Sequence, residues 1–117
     1  MSLEHIPIWD YHLLMRIISG ATLRNYWNHF PRAERPLREW LSDSEVASWP
    51  DPMAVKAYDS SVSILKDGRA VFNIAGNNFR LVVHIAYKFQ TVLVKFIGTH
   101  GEYDQIDAQT VDQKKWR

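Results

Sequence analysis

Apolar and polar residues alternate most regularly in the second half of the chain, and this period of two predicts β-strands over residues 79–87 and 91–99. A short polar break at 88–90 separates the two strands. Residues 75–78, Ala-Gly-Asn-Asn, form a turn of residue types that tolerate positive φ, and they follow a further strand that ends over 71–74. The pattern therefore predicts a three-stranded meander.

The apolar rows of the last two strands also predict how these strands pair. If Tyr87 pairs with Val92, both rows lie on one face of the sheet, which becomes the core. A slip of one residue would bury Lys95 and expose Phe96. The second face then carries two cross-strand pairs, His84 opposite Lys95 and Arg80 opposite Thr99. We therefore expect one apolar face and one cationic face.

Two amphipathic helices are predicted ahead of the meander, because apolar residues recur there at spacings of three and four. Ser19 is a capping residue for the first helix, and Pro31 ends it. Pro36 is tolerable because it falls in the first turn of the second helix. The two apolar stripes, both assigned to the core, are Leu23, Tyr26, Trp27 and Phe30 in the first helix and Ala33, Leu37, Trp40, Leu41 and Ala47 in the second.

Shorter elements complete the predicted fold. Residues 12–19 are typical of a strand buried on both faces, and residues 53–58 of one or two helical turns that begin at Pro52. Residues 61–65 form a strand that leads through an Asp-Gly turn into the meander, and residues 103–108 form a last helical turn. The order of one strand, two helices and consecutive strands predicts an α+β domain with helices on one side of a largely antiparallel sheet.

Length and composition predict one domain. With 117 residues and 46% apolar content, the chain can bury a single core. We divide it into an N-terminal extension over 1–14, a domain over 15–111, and a polar tail over 112–117 that we expect to fray. The absence of cysteine excludes disulfides and thiolate metal sites, and no apolar run suits a signal peptide or a membrane span. A cytoplasmic protein is expected, and five scattered histidines without ligand spacing predict no metal and no cofactor.

Groups capable of acid–base chemistry cluster directly after the last predicted strand, at His100, Glu102, Tyr103 and Asp104. The cationic face beside them is expected to hold Arg80, His84 and Lys95. Cleavage of RNA needs a base near the 2′-hydroxyl, an acid for the leaving 5′-oxygen, and positive charge for the transition state. Histidine, tyrosine, lysine and arginine can fill these roles without a metal.

Each of these residues also has an ordinary structural interpretation. A histidine at a strand end is most often a hydrogen-bonding loop residue, and the three cations on one face would equally suit an RNA-binding or partner-binding module without catalysis. A purely structural subunit is a third alternative. Arginines off the helix stripes are most often a solvated surface. The residues that we select as candidate RNA contacts are His84, Asn77, Arg24 and Arg35.

The chain resembles the HigB family of toxins from type II toxin-antitoxin modules, within the RelE-like superfamily of messenger RNA interferases. The resemblance rests on four segments, MRIIS, TLRNYW, VFNIAGNNFRLVVHIAY and FIGTHGEYD, and it covers residues 15–111. The combined spacing of GNNFRLV and FIGTHGEYD is specific, whereas either piece alone is weak. The resemblance implies a RelE-like α+β endoribonuclease that enters the ribosomal A site and cleaves the messenger.

Site residues and partners follow from the same resemblance. It implies His100, Tyr103 and Arg80 as catalytic residues, with Glu102 in position to orient His100; Lys95 is added from the phase of its strand. The implied partners are messenger RNA on the ribosome and a HigA-like helix-turn-helix antitoxin, with no membrane and with operator DNA contacted only through the antitoxin complex. Because the formal net charge is only +1, we expect a weak grip on free RNA and hence cleavage that depends on the ribosome.

Overall fold

A single five-stranded sheet organises the part of the chain that the computed structural model describes, residues 14–113. Its strands are β1 (Arg16–Ile18), β2 (Ser63–Ile64), β3 (Arg69–Ile74), β4 (Phe79–Ala86) and β5 (Thr91–Thr99). They lie in the order β1-β5-β4-β3-β2, in which β1 runs parallel to β5 and all other neighbours are antiparallel. The predicted meander is confirmed as β3, β4 and β5.

β1 lies at one edge of the sheet, and the prediction of a strand buried on both faces is therefore wrong. Its three residues pair with β5 alone, and the Ile18 side chain is 43% exposed. An apolar run does not distinguish a central strand from an edge strand that packs one face on the core. Residues 12 and 13, where this strand was predicted to begin, lie outside the described residues, as does all but the last residue of the N-terminal extension 1–14.

Among the described residues, four helices accompany the sheet: α1 (Gly20–His29), α2 (Glu34–Glu45), α3 (Pro52–Tyr58) and α4 (His100–Tyr103). Pro31 ends α1 as predicted, because Pro31–Ala33 form a 3-10 turn that leads into α2. α3 begins at Pro52, and its N-cap Asp51 accepts a hydrogen bond of 3.0 Å from the Ala54 amide. Within residues 14–113, no helix combines the length and the apolar content needed to cross a bilayer.

Ser19 does not cap α1 in the predicted way. It occupies the N-cap position, but its backbone is left-handed, with φ at 71°, and its side chain makes no capping hydrogen bond. The hydroxyl of a capping serine reaches the amides of the first turn from an extended backbone. The start of α1 therefore depends on packing of its apolar stripe instead of on a cap.

The main core lies between one face of the sheet and helices α1, α2 and α3. Both predicted helical stripes contribute to it: Leu23, Tyr26, Trp27, Ala33, Leu37 and Trp40 are buried, and Phe30, Leu41 and Ala47 pack against them. Aromatic rings connect the layers, with Trp40 edge-on to Phe72 of β3 at a centroid distance of 5.5 Å. The α+β prediction with helices on one face of a largely antiparallel sheet is thus confirmed for these three helices.

We expect Trp27→Ala and Trp40→Ala each to lower the free energy of unfolding by about 3 to 5 kcal/mol, because both indoles are buried and truncation leaves a cavity. Phe89→Ala is the matched control, since its ring is 69% exposed, and it should change stability by no more than about 0.5 kcal/mol. Thermal and urea melts measure all three. An unaltered midpoint for either tryptophan variant would contradict the packing of α1 and α2 on the sheet.

The predicted pairing of β4 with β5 is wrong on both sides of a β-bulge, by two residues next to the connecting turn and by one beyond the bulge. Arg80 pairs with Gly98 instead of Thr99, and His84 pairs with Leu93 instead of Lys95. The cross-strand pairs are Val82 with Phe96 and then Val83 with Val94, so Lys95 is the extra residue. Tyr87 lies outside the ladder, in the 3-10 turn Tyr87–Phe89 that joins the strands.

The bulge changes which side chains face the main core. Val92, Val94 and Ile97 lie in that core, whereas Phe96 packs on the opposite face of the sheet with Val71 and Val82. Strict alternation had placed Phe96 in the core and Ile97 outside it. The inserted residue shifts the alternation by one, so Phe96 and Ile97 exchange faces. Both side chains are buried, each on its own face of the sheet.

The second face of the sheet is not an open cationic surface, since the chain after α4 covers it. A smaller cluster of Val71, Val82 and Phe96 is packed there against Leu65, Tyr103, Ile106, Ala108 and Val111. The guanidinium of Arg69 donates hydrogen bonds to the carbonyls of Ala108 and Val111 at 3.0 and 2.8 Å. These contacts tie the covering segment to β3.

The start of the predicted polar tail is bound to β5. The backbone amide of Gln113 donates to the Lys95 carbonyl at 2.8 Å, and the side-chain oxygen of Gln113 accepts from the Ile97 backbone amide at 3.0 Å. β1 pairs with β5 only over residues 91–93, so Gln113 occupies an edge that β1 leaves open. Residues 114–117, the rest of the tail expected to fray, lie outside the described residues.

Candidate active site

α4 begins immediately after β5, and a capping box sets its first turn. The Thr99 hydroxyl accepts a hydrogen bond of 3.1 Å from the Glu102 amide, and a Glu102 carboxylate oxygen accepts one of 2.8 Å from the Thr99 amide. The last helix therefore spans His100–Tyr103, and the prediction of a helical turn over 103–108 is wrong. The helix starts at His100 instead of Tyr103 because the capping box satisfies the Thr99 and Glu102 amides at the end of β5.

His100 is presented on the first turn of α4. Its amide donates to the Asn78 carbonyl at 3.0 Å, which joins α4 to the turn before β4. Its Nδ1 lies 3.7 Å from Oδ2 of Asp104, four residues later, and its side chain is 48% exposed. The carboxylate beside the ring is thus Asp104, whereas Glu102, which had been expected to orient His100, binds the Thr99 amide. An imidazole paired through one nitrogen and open to solvent can exchange a proton with a substrate.

Arg80 is held rigidly at the start of β4. Its guanidinium donates to the carbonyls of Asn77 and Phe79 at 3.2 and 3.1 Å, and to the side-chain oxygen of Asn77. The residue is only 8% exposed, and it forms no ion pair with any of residues 14–113. Carbonyl oxygens orient a guanidinium but leave its charge uncompensated. A buried, fixed and unneutralised positive charge is suited to an anionic group such as a phosphate.

The strand register brings Arg80 beside α4. Arg80 pairs with Gly98, one residue before Thr99, so the guanidinium and the start of α4 share one end of the sheet. Tyr103 is half-buried against Phe96 and Val82, on the same face of the sheet as the covering segment. β4, β5 and α4 therefore place Arg80, His100 and Tyr103 at one end of the sheet, where Asn77 holds the Arg80 guanidinium.

Glu102 also acts on the core through its charge. Burial raises the pKa of the Tyr26 phenol, and the negative charge of Glu102 raises it further. Tyr26 stacks on Phe30 at a centroid distance of 4.7 Å and lies edge-on to Phe79, the first residue of β4, at 5.9 Å. α1 thus supports the end of the sheet that carries α4.

Lys95 and His84 do not join this group. The Lys95 ammonium lies 3.8 Å from the Asp112 carboxylate, so its charge is paired within the chain. His84 pairs with Leu93 and Arg69, four residues along β4 from Arg80, which corresponds to about 13 Å of strand. The observed register removes the predicted His84–Lys95 cross-strand pair, and neither residue lies opposite Arg80.

The two arginines chosen as RNA contacts lie in the helical layer. Arg24 is exposed on α1, and Arg35 on α2 forms an exposed ion pair of 3.6 Å with Glu39. Arg38 of α2 is likewise paired, with Glu34 at 2.8 Å, and lies over the Trp27 ring. Most of the positive charge on α2 is therefore balanced by carboxylates one turn away.

A cleft in the helical layer is too acidic for RNA. A cleft of about 190 Å³ lies between α2, α3 and the end of β3, and three carboxylates line it: Glu39, Asp43 and Asp59. The Tyr58 hydroxyl donates to Asp43 at 3.0 Å there. Burial, that hydrogen bond and the nearby carboxylates all raise the pKa of Tyr58. Phosphate groups would be repelled by this cleft, which leaves α4 and Arg80 as the candidate active site.

Two contacts of the site, the Asp104–His100 pair and the Thr99–Glu102 capping box, were missed by sequence reasoning, although each carried a signal. Asp104 follows His100 at i+4, the spacing that places two side chains on one helical face. Thr99 and Glu102 form the T-x-x-E pattern of a capping box. Both patterns are meaningful only if the helix starts at His100, and the sequence pattern had placed that start at residue 103. The described residues contain no group of three or more histidine, aspartate or glutamate side chains able to hold a metal ion.

Comparison with known proteins identifies the family of the chain. Residues 33–106 match the HigB toxin family, described as the RelE-like toxic component of a toxin-antitoxin system. The mRNA interferase toxin HigB of Escherichia coli K12 is 26% identical over 96 residues, which cover 80% of this chain and 92% of that protein, and the mRNA interferase HigB of Shigella flexneri shows the same figures. The family match spans more than half of the 117 residues and includes Arg80, His100 and Tyr103. The chain belongs to the HigB family of RelE-like toxins.

Proposed function

We propose that this protein is a ribosome-dependent messenger RNA endoribonuclease, the toxin of a toxin-antitoxin pair. The single observation that carries the proposal is the placement of an unneutralised Arg80 guanidinium beside a helical turn that presents His100 and Tyr103. Relatives named mRNA interferase support the substrate class. The proposed working domain spans residues 15–111, and the proposed location is the cytoplasm, where ribosomes are.

In the proposed reaction the messenger supplies its own nucleophile. A base removes the 2′-hydroxyl proton, the 2′-oxygen attacks the adjacent phosphorus, and the bond from phosphorus to the 5′-oxygen breaks. An acid protonates the departing 5′-oxygen, so the products are a 2′,3′-cyclic phosphate and a 5′-hydroxyl. His100 and Tyr103 are the proposed proton-transfer groups, and Arg80 stabilises the charge that accumulates on the phosphate oxygens. The reaction uses neither metal nor cofactor.

The other candidate residues take lesser roles in this proposal. Asn77 fixes the Arg80 guanidinium. Asp104 orients the His100 ring. Arg24 is exposed and contacts ribosomal or messenger phosphates, and Arg35 does so when it exchanges Glu39 for a phosphate. His84 lies four residues along β4 from Arg80, and Lys95 is paired with Asp112, so neither is assigned to the phosphate that Arg80 binds.

The proposed partner is a HigA-like helix-turn-helix antitoxin, and DNA is contacted only through the complex with it. Expression of this chain alone should arrest growth, and co-expression of the antitoxin should restore it. The two proteins should co-elute from a size-exclusion column at micromolar concentration, because neutralisation needs a tight complex. Separate elution would contradict the expected affinity, and unimpaired growth at verified expression would contradict the toxin function.

A binding module without catalysis is the rival function. It would need the three sheet cations as a phosphate grip, but His84 lies four residues along β4 from Arg80, and Lys95 is paired with Asp112. Primer extension on messenger from arrested cells distinguishes the two. New 5′ ends favour the nuclease, and arrest without cleavage favours the module.

A further inference from the structure

The capping box of α4 joins Thr99, directly before His100, to Glu102, directly before Tyr103, and it occupies the one carboxylate within that helix. We infer that Thr99 and Glu102 are positioning residues, which act on the reaction only by holding His100 and Tyr103 in place. Glu102 is therefore not a general acid or base. This inference rests on the proposed function of the site.

The contacts of Glu102 are directed at the backbone. One carboxylate oxygen accepts the Thr99 amide at 2.8 Å, and the Thr99 hydroxyl accepts the Glu102 amide at 3.1 Å. α4 has four residues, and a helix of that length is unstable by itself in water. Its orientation relative to Arg80 therefore depends on tertiary contacts: this reciprocal pair, the bond from the His100 amide to the Asn78 carbonyl, and the packing of Tyr103 on the second face of the sheet.

Gly98 provides the space in which the Glu102 carboxylate sits. A Cβ atom at this position would lie 3.0 Å from Glu102 Oε1 and 2.6 Å from Cζ of the Phe96 ring. Both side chains thus converge over a residue that has none, and Phe96 is buried. The Glu102 carboxylate is therefore held by two contacts, the close approach to Gly98 and the hydrogen bond from the Thr99 amide.

A positioning role and a proton-transfer role make opposite demands on the side chain at position 102. The capping role needs only an oxygen that accepts a hydrogen bond from an amide, and glutamine supplies one as glutamate does. Proton transfer needs a group that titrates, which the glutamine amide is not. Likewise, at position 99 the cap needs a hydroxyl, so serine suffices and valine does not.

Four variants of the full chain therefore test the inference: Glu102→Gln, Glu102→Ala, Thr99→Ser and Thr99→Val. We expect Glu102→Gln and Thr99→Ser to retain kcat within about threefold on a programmed ribosome complex. Glu102→Ala and Thr99→Val should lower kcat by about 10- to 100-fold, because a small displacement of reacting groups has that effect. KM should change little, and the pH profile should keep its shape in every variant.

Two controls separate positioning from loss of the fold. Glu45→Ala removes an exposed carboxylate at the end of α2 and should leave cleavage unchanged. All variants should bind the antitoxin as the wild type does. Hydrogen exchange of the Thr99 amide should be slow in the wild type and in Glu102→Gln and faster in Glu102→Ala, which reports the cap without reference to activity.

The outcomes are distinct. Loss of activity in Glu102→Gln equal to that in Glu102→Ala, with the Thr99 amide still protected, would overturn the inference and make Glu102 a catalytic residue. A pH profile that changes shape in Glu102→Gln would do the same. A wild-type protein that cleaves neither free nor ribosome-bound messenger would overturn the proposed function, and this inference with it.

Discussion

Purified protein should cleave a messenger held in a programmed ribosome complex about 10³-fold faster, or more, than the same messenger free in solution at physiological salt. The reason is the shortage of free positive charge. Nonspecific affinity for RNA comes mainly from neutralisation of phosphates and release of counterions, and the formal net charge of this chain is only +1.

The structure reduces the available charge further. Lys95 is paired with Asp112, and Arg35 and Arg38 are each paired with a glutamate on the same helix. Arg80 is buried and can serve one phosphate, but single-strand binders need a basic groove with a row of exposed aromatic rings. Most aromatic side chains of the described residues lie in the main core instead.

A ribosome supplies what the protein lacks, since it holds the messenger in a fixed path and offers a docking surface. Orientation of reacting groups is worth on the order of 7 kcal/mol or more in well-positioned reactions, which leaves a 10³-fold difference well within reach. The measurement compares single-turnover rates on the two substrates at equal concentration, with a salt series. Equal rates on free and ribosome-bound messenger would rule out the dependence.

His100→Ala and Arg80→Ala should each lower cleavage on the ribosome complex by about 10²-fold or more. His100 supplies proton transfer, and Arg80 supplies charge for the transition state, and removal of either kind of group has effects of that size. The loss should appear in kcat more than in KM, because both groups act on the transition state.

Stability measurements must accompany these two variants, because Arg80 also ties the turn before β4 through Asn77. Arg80→Lys keeps the positive charge but loses the planar guanidinium with its several hydrogen-bond donors. Its activity should therefore fall between those of the wild type and Arg80→Ala. His29→Ala, at the end of α1, is the matched histidine control and should retain full cleavage. Near wild-type toxicity of both alanine variants at equal expression would show that this site assignment is wrong.

Local patterns in the sequence determined most of the secondary structure. Periods of two and of three to four residues placed β3, β4, β5 and the helices α1 and α2, and Pro31 and Pro52 marked helix boundaries. These features are readable because each depends on neighbouring residues alone. The combined spacing of GNNFRLV and FIGTHGEYD likewise indicated the HigB family, which the family match confirms.

Only the tertiary structure decided which residues meet. Phe96 and Ile97 are adjacent and apolar; the bulge at Lys95 puts Ile97 in the main core and Phe96 on the opposite face, where the chain after α4 covers it. The covering segment also pairs Lys95 with Asp112. The sequence by itself named His100, Tyr103 and Arg80; their approach at one end of the sheet, with Asp104 and not Glu102 beside the imidazole, follows from the register and from where α4 begins.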